Sequence, residues 1–277
     1  MRRVYEGLLI EKVKVEVILM DVGLIDVQNQ KPENEIELEK VGVEGLKKYV
    51  IIKRPDKPYH VIVTINSYIT LPSNLRGAHM SRFAESIAEV PTEAFSIEDL
   101  AEKIAKRAYQ KHGFHCCTEV FGEFPYKRIR PNGEKENAIA EMFGRFSTKN
   151  ERKIVGVSIN GILACPCSKE LTKGLTHNQR GKIIVELDVS DNKVELLEVI
   201  EMCKESFSYP TFSILKRIEE KEVVEKIHEN PRFVEDVVRK CVQLLREKYP
   251  GRYCRVKCIS YESIHDHNVC SEWSGIL

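Results

Sequence analysis

A cysteine and a histidine that could share a metal ion lie close together in the second half of the chain. Cys165 opens the segment Cys165-Pro166-Cys167, and His177 follows twelve positions later within Thr176-His177-Asn178-Gln179-Arg180-Gly181. Thiolate and imidazole groups bind zinc and other divalent transition metals. A closed structural zinc site needs four protein ligands, whereas two or three leave a position open for water. The segment therefore predicts a metal site of the kind that does chemistry.

Three other cysteines fit a different interpretation, because a cysteine is commonly a small buried hydrophobe. Cys203 and Cys241 occupy apolar positions of helix-like runs, and Cys258 lies inside a strand-like run at 253–259. Cys165 differs, since Pro166 breaks the strand predicted over 154–163 and exposes the thiol at its end. Cys165 is therefore the cysteine that we expect to bind a metal.

The composition limits the classes of function. The chain has 277 residues, enough for one large domain or two ordinary ones, and its 43 basic and 42 acidic side chains leave a net charge of +1. This balance gives no reason to expect a nucleic-acid or membrane partner, and no segment approaches the ~18 apolar residues that span a bilayer. Nine cysteines, with Cys116 and Cys117 adjacent, do not form a disulfide framework, and Met1 to Lys14 lacks a signal-peptide core. We therefore expect a reducing, cytoplasmic location.

The first half of the chain reads as two strands, two helices and two strands. Ser96 caps a helix with Asp99 three residues on, and Gly113 ends it. Turn signals occur at 54–58 and at Pro131-Asn132-Gly133. The patterns predict strands over 37–54, 59–71, 114–129 and 138–147, and a shorter helix over 82–89.

The second half repeats this order. Asn230 as N-cap and Pro231 at the first helical position predict the start of a long helix. The patterns predict helices over 194–205 and 231–249, strands over 153–163, 181–189 and 253–260, and a short last strand near the C-terminus.

Strands and helices in this order predict an α+β fold. We expect two tandem ββααββ modules with antiparallel sheets and helices on one face, divided near Thr148-Lys149-Asn150-Glu151 into residues 1–150 and 151–277. An open four-stranded sheet leaves edges that invite pairing, so the modules are expected to close a barrel by oligomerising.

Three further segments carry groups that could act beside the Cys/His pair. His265 and His267 point to the same side of an extended chain. Glu235, in Phe233-Val234-Glu235-Asp236, borders the buried face of the long helix at 100° per residue. The run Lys216-Arg217-Ile218-Glu219-Glu220 combines two cations with two carboxylates. Taken singly, each segment also fits a solvated surface.

Together with His79-Met80-Ser81-Arg82-Phe83, these segments closely resemble the type IB GTP cyclohydrolases, a family with the tunnelling fold. The resemblance runs from Asp26-Val27-Gln28 to His267, almost the whole chain. It implies a homotetramer with sites at subunit interfaces, GTP as the substrate, and 7,8-dihydroneopterin triphosphate and formate as products. It also implies a divalent metal cofactor, which could be Fe²⁺, Mn²⁺ or Zn²⁺.

The resemblance assigns roles to individual residues. Cys165, His177 and Glu220 are implied as metal ligands, although the family often has Pro-Asp-Glu where this chain has Ile218-Glu219-Glu220, so that Glu219 is an alternative ligand. Glu235 is implied as the anchor of the guanine base, and His265 as an acid/base aided by His267. The residues expected to be catalytic are Cys165, His265 and His267, and those expected to bind substrate are Glu235, Arg82, Gln179, Arg180, Lys216 and Arg217.

Two alternatives remain open at this point. Archaeal relatives that share the motifs make a cyclic phosphate product, whereas the short Cys-to-His spacing here is more similar to the bacterial type. The other alternative is a nucleotide-binding module in which the metal is structural; three ligands and a free histidine pair argue against it.

Overall fold

The fold consists of one large sheet with helices packed against it. The computed structural model describes residues 26–53, 58–191 and 193–277. Within these residues, a short 3₁₀ helix (Val27–Asn29) precedes ten strands and six helices: β1 (Leu38–Lys53), β2 (Pro58–Leu71), α1 (Met80–Glu89), β3 (Glu93–Ala94), α2 (Ile97–His112), β4 (Cys116–Ile129), β5 (Lys135–Ser147), β6 (Arg152–Ala164), α3 (Pro166–Thr172), β7 (Asn178–Asp188), α4 (Leu196–Ser206), β8 (Tyr209–Pro210), α5 (Arg217–Glu229), α6 (Val234–Lys248), β9 (Tyr253–Ser260) and β10 (Val269–Ile276).

The sheet runs without a break through both halves of the chain. Its order is β10-β9-β7-β6-β5-β4-β2-β1-β3, and β8 adds to β6. The long strands pair antiparallel, whereas the two-residue β3 pairs parallel with β1. The predicted boundary near Thr148–Glu151 falls in the tight turn between β5 and β6, which pair directly. The division into residues 1–150 and 151–277 stays a prediction.

Helices α2, α4 and α6 share one hydrophobic core with the sheet. Helix α2 packs on β4 and β5, α4 on β6 and α6, and α6 on β9 and β10. The contact of α2 with β5 is close: a Cβ added at Gly144 would lie 2.6 Å from the backbone nitrogen of Glu98. In the described part of the chain, no helix has the length and apolar character that a membrane crossing requires.

The alternating patterns predicted the long strands correctly, and the cap residues with the helical spacing between them predicted α2 correctly. The Ser96 hydroxyl accepts a hydrogen bond from the Asp99 backbone N–H at 3.2 Å, which satisfies one free donor of the first helical turn. Gly113 ends α2 with φ of 76°, a left-handed conformation that glycine adopts without steric cost. The predicted turn at 54–58 and the segment Met1 to Lys14 cannot be compared, because residues 54–57 and 1–25 lie outside the described residues.

The predicted start of the long helix at Asn230 and Pro231 is wrong. Asn230 instead ends α5, where its N–H donates to the Lys226 carbonyl. Arg232 then forms a β-bridge with Ala164, which requires extended backbone, and α6 begins only at Val234. Proline is common both just after a helix C-cap and at a helix start, and here Pro231 follows the C-cap Asn230. The second half contains four helices, since α3 and α5 occur in addition to the two that were predicted over 194–205 and 231–249.

Candidate active site

Residues from both ends of the second half meet in one cavity of about 270 Å³, here called the Cys165 cavity. It lies where β6 ends, β7 and α6 begin, and the chain leaves β9. Its lining residues are Leu163, Ala164, Cys165, His177, Gln179, Arg232, Phe233, Val234, Glu235, Ser260, Glu262, His265, His267 and Val269.

Backbone hydrogen bonds hold Cys165 in place directly after the C-terminal end of β6. Its N–H donates to the His177 carbonyl at 3.3 Å, and its own carbonyl accepts from the Thr176 hydroxyl at 2.7 Å. The half-buried Cys165 also caps α3, because its Sγ accepts from the Ser168 N–H at 3.4 Å and Pro166 supplies the first helical residue. These bonds bring the Cys165 and His177 segments together, as the metal-site prediction requires.

The orientation of the His177 ring is set by Gln179. The Gln179 amide donates from Nε2 to the Glu262 carboxylate at 3.3 Å, so its Oε1 faces His177 Nδ1 at 3.1 Å and must accept there. His177 therefore carries its proton on Nδ1, which leaves Nε2 with a free lone pair, the tautomer that a metal ligand needs. Ser260 fixes Glu262 in turn, by donating its hydroxyl to the same carboxylate oxygen at 2.6 Å.

Glu262 and Arg232 are site residues that the sequence did not single out. Glu262 faces Gln179 only because β9 pairs with β7 in the register that places Ser260 opposite Gly181. Arg232 donates from Nη1 to the carbonyls of Glu205 and Ser206, at 3.0 and 2.8 Å, and so ties the start of α6 to the end of α4. Burial lowers the pKa of the Arg232 guanidinium. Neither residue belongs to a pattern that periodicity could reveal.

The two histidines expected to act as acids and bases lie together at the cavity. The rings of His265 and His267 stack with centroids 5.2 Å apart and planes 18° apart. Both side chains are exposed and line the Cys165 cavity. The expectation that they face the same side is confirmed.

Glu235 is the free carboxylate at the start of α6. The neighbouring Asp236 caps the helix by accepting from the Phe233 N–H at 3.1 Å. Glu235 is exposed to the cavity, and within the described residues it has neither a hydrogen-bond nor an ion-pair partner. Its oxygens are therefore available to a ligand.

Several of the predicted site residues do not line this cavity. Arg180 lines a smaller neighbouring cavity of about 210 Å³, which shares Gln179 with the first. Arg82 lies on α1, which packs on α2 and β1 in the first half. Lys216, Arg217 and Glu220 are exposed at the start of α5. Over the described ranges, no three His, Cys, Asp or Glu side chains are grouped closely enough to hold a metal.

The two carboxylates of the Glu219-Glu220 pair differ in environment. Glu219 is buried, accepts from the Lys216 N–H at 2.7 Å, and forms an ion pair with Arg130. The Lys216 N–H, followed by Arg130, lowers the pKa of Glu219. Oε2 of Glu219 thus holds the start of α5, whereas the Glu220 carboxylate has neither a hydrogen-bond nor an ion-pair partner among the described residues.

The chain is similar in sequence to proteins named GTP cyclohydrolase and similar in fold to uricase. The family described as type I GTP cyclohydrolase folE2 matches residues 24–271. GTP cyclohydrolase MptA 2 of Methanocella arvoryzae is 35% identical, covering 92% of this chain and 96% of its own length. GTP cyclohydrolase FolE2 of Thermosipho melanesiensis is 36% identical, covering 88% of this chain and 95% of its own. In fold, uricase from Arthrobacter globiformis is similar, with a TM-score of 0.52, 8% identity, and coverage of 86% of this chain and 93% of that one.

Proposed function

Because the chain belongs to the type I GTP cyclohydrolase family and is therefore a hydrolase that acts on GTP, we propose that it converts GTP and water to 7,8-dihydroneopterin triphosphate and formate. The observation that carries this proposal is the convergence of Cys165, His177, Glu235, His265 and His267 on one cavity. The reaction adds water at C8 of guanine, opens the five-membered ring, releases C8 as formate, rearranges the ribose and closes a pterin. Family membership sets aside the alternative of a non-catalytic module.

Glu235 is proposed to hold the guanine base. A carboxylate can accept two parallel N–H bonds, and guanine offers that pair from its ring N1–H and its 2-amino group. Adenine has an acceptor at N1 and no 2-amino group, so it cannot make the same contact. The lack of a protein partner for Glu235 in the described residues supports this role, because an engaged carboxylate would have to give up a bond first.

His265 and His267 are proposed to move protons to and from the reacting purine. The reaction breaks carbon–nitrogen bonds, and each departing nitrogen needs a proton. An imidazole donates and accepts protons near neutral pH, and two stacked rings at the cavity can serve successive steps. Their exposure leaves room for the ribose and for exchange with solvent.

A divalent cation in the Cys165 cavity is part of the proposal. The donor set fits it in part: Cys165 and the unprotonated Nε2 of His177 line one cavity, while Glu220, the third proposed ligand, lies outside the lining. When bound, such a cation would lower the pKa of a water molecule that it contacts toward neutral pH and would polarise a substrate atom that it contacts. Thiolate, imidazole and carboxylate together accept Fe²⁺, Mn²⁺ or Zn²⁺.

The product could carry either a linear triphosphate or a cyclic phosphate. Relatives named MptA and a relative named FolE2 match this chain at 35% and 36% identity, so overall similarity does not separate them. We favour the linear triphosphate because of the short spacing between Cys165 and His177. Mass spectrometry of the product distinguishes it from a cyclic phosphate.

We further propose that the sheet is two tandem modules of the tunnelling fold and that copies of the chain close a barrel. The uricase-like fold and the exposed sheet edges support this. Most of β1 and all of β10 lack an outer strand among the described residues, and such edges invite pairing with another copy. A homotetramer would then bring cations such as Arg82, Lys216 and Arg217 to a neighbouring chain's cavity, where the triphosphate needs them.

The substrate assignment predicts a sharp base preference. Metal-loaded protein is expected to release formate from GTP and to give a product with pterin fluorescence after oxidation, whereas ATP should give neither above background. The reason is the N1–H and 2-amino contact with Glu235. Formate release from ATP at a rate comparable to GTP would show that Glu235 does not select the base.

The assembly predicts complementation between two inactive chains. A mixture of Arg82→Ala and Cys165→Ala chains, dissociated and reassembled, is expected to recover part of the activity, because hybrid sites can combine an intact Arg82 with an intact Cys165. Light scattering gives the size of the oligomer, and co-purification of the two chains through different affinity tags verifies that it is mixed. An active monomer at working concentration contradicts the interface site, and a verified mixed oligomer without recovery places Arg82 at the site of its own chain.

A further inference from the structure

A second cavity, here called the Glu98 cavity, has a volume of about 380 Å³. It lies where the first half of the chain meets the segment 193–196, away from the chemistry proposed above. Its walls are largely apolar and aromatic, with Tyr59, Phe95, Phe124 and Met142 among them. A concave apolar site of this size with a few polar groups is typical of small-molecule binding.

The Glu98 cavity occupies the place in the first half that the Cys165 cavity occupies in the second. One lies between the end of β1, the start of β2 and the start of α2, and the other between the end of β6, the start of β7 and the start of α6. The strand pairs also end alike, with Lys53 opposite Pro58 in one half and Ala164 opposite Asn178 in the other.

Glu98 corresponds to Glu235 in this comparison. Each is the second residue of its helix, each follows an aliphatic residue, and each precedes an aspartate: Ile97-Glu98-Asp99 in α2 and Val234-Glu235-Asp236 in α6. Both carboxylates line their own cavity. The position proposed to hold guanine in the second half is therefore present in the first half as well.

The environment of Glu98 suits a ligand with N–H donors. The side chain is 6% exposed, and no basic side chain of the described residues forms an ion pair with it. Burial raises the pKa of its carboxyl, and its own backbone N–H, the Ser96 hydroxyl and the charge of Lys153 offset only part of that rise. A desolvated carboxyl with acceptor sites left over gains much from donors that enter with a ligand. The close packing of α2 on Gly144 keeps it in place.

We propose that the Glu98 cavity binds, without converting it, a planar heterocycle that carries a ring N–H beside an exocyclic amino group. Guanine has this edge and so does the pterin ring of the product, and the aromatic walls offer faces for stacking. No cysteine or histidine is among the described residues that line the cavity, so the groups proposed for hydrolysis are missing there. This inference rests on the proposed role of Glu235 as the base anchor.

Calorimetric titration of the metal-loaded protein tests the inference with three probes. Guanosine represents the substrate base, neopterin represents the product ring, and adenosine is the control that lacks the edge. Wild-type protein is expected to bind two molecules of guanosine or neopterin per chain. Glu235→Gln and Glu98→Gln should each lose one site, by about 10- to 100-fold in affinity, and the double variant should lose both.

The variants are matched so that misfolding cannot imitate the result. Glu39→Gln removes an exposed carboxylate of β1 that lines neither cavity and should leave both sites intact. Phe95→Ala removes a 63% exposed wall residue and should weaken only the Glu98 site, without a change in unfolding temperature. Binding of neopterin but not guanosine at the Glu98 site assigns it to the product, and the reverse assigns it to the substrate.

The titration distinguishes the absence of a second site from an error in the role proposed for Glu235. If wild-type protein binds one guanosine per chain and Glu235→Gln binds none, the second site does not exist and the proposed function stands. If Glu235→Gln binds both molecules as tightly as wild type, Glu235 is not the anchor, and the argument from its counterpart Glu98 falls with it.

Discussion

Replacing Cys165 with alanine is expected to abolish turnover of GTP and to release most of the bound metal. A metal's Lewis-acid contribution is several kcal/mol, and a loss of ~5.5 kcal/mol is about four powers of ten in rate. The fold should survive, because Cys165 is half-buried and its structural bonds run mainly through its backbone N–H and carbonyl. Formate release at saturating Mn²⁺ and metal analysis of the purified protein measure the two effects.

Two cysteine variants serve as controls for Cys165→Ala. Cys203 is fully buried in the core between α4 and its neighbours, so Cys203→Ala should lower the free energy of unfolding by ~1–2 kcal/mol and leave the chemistry intact. Cys167 is exposed and does not line the Cys165 cavity, so Cys167→Ala should change neither property. Equal activity of Cys165→Ala and Cys203→Ala at saturating metal contradicts the ligand assignment.

The strands and the main helices could be predicted because each has one buried face. Strand β9 has buried residues at every second position, from Cys254 to Ser260, so its alternation marks it from end to end. Helix α5 was missed because it buries little: Val223, Ile227 and the capping Glu219 are its buried side chains. A thin apolar stripe of this kind resembles a charged surface segment when only the sequence is read.

The site could be predicted only where chemistry marks the residue. Cys165, His177, Glu235, His265 and His267 were expected from their types and motifs, and the structure places all five at one cavity. Glu262 and Arg232 could not be found in the same way. The bond of Gln179 to Glu262 depends on the register of β7 against β9, and the bonds of Arg232 depend on where α4 ends. Register and helix ends are tertiary properties that local patterns do not determine.

The residues that fail to reach the cavity share a physical trait. Arg82 lies at the start of α1 and is half-buried, whereas Lys216, Arg217 and Glu220 lie at the start of α5 and are exposed. Helix starts on the surface of one chain are positions that a second chain can cover. Their distance from the cavity is the reason that the proposed function depends on assembly, which the Arg82 and Cys165 mixture tests.

Replacing His265 with alanine is expected to lower kcat by about 10² to 10⁴ while the protein keeps its full metal content. The ring of His265 stacks on His267 and lines the cavity, but the contacts that orient His177 run through Gln179, Glu262 and Ser263. Its removal therefore takes away an acid/base group and leaves the proposed ligands in place. Single-turnover formate release measures the loss of the acid/base group, and metal analysis shows whether a metal ligand was lost as well.

The control for His265→Ala is another histidine of the same half. His228 faces the Val224 carbonyl on α5 at 2.7 Å and does not line the cavity, so His228→Ala should keep wild-type kcat. His267→Ala is the informative neighbour: if the two rings act in succession, each single variant should be slow and the double variant little slower than the worse one, because residues that act as a unit are not additive. Loss of metal in His265→Ala would instead make this histidine a ligand.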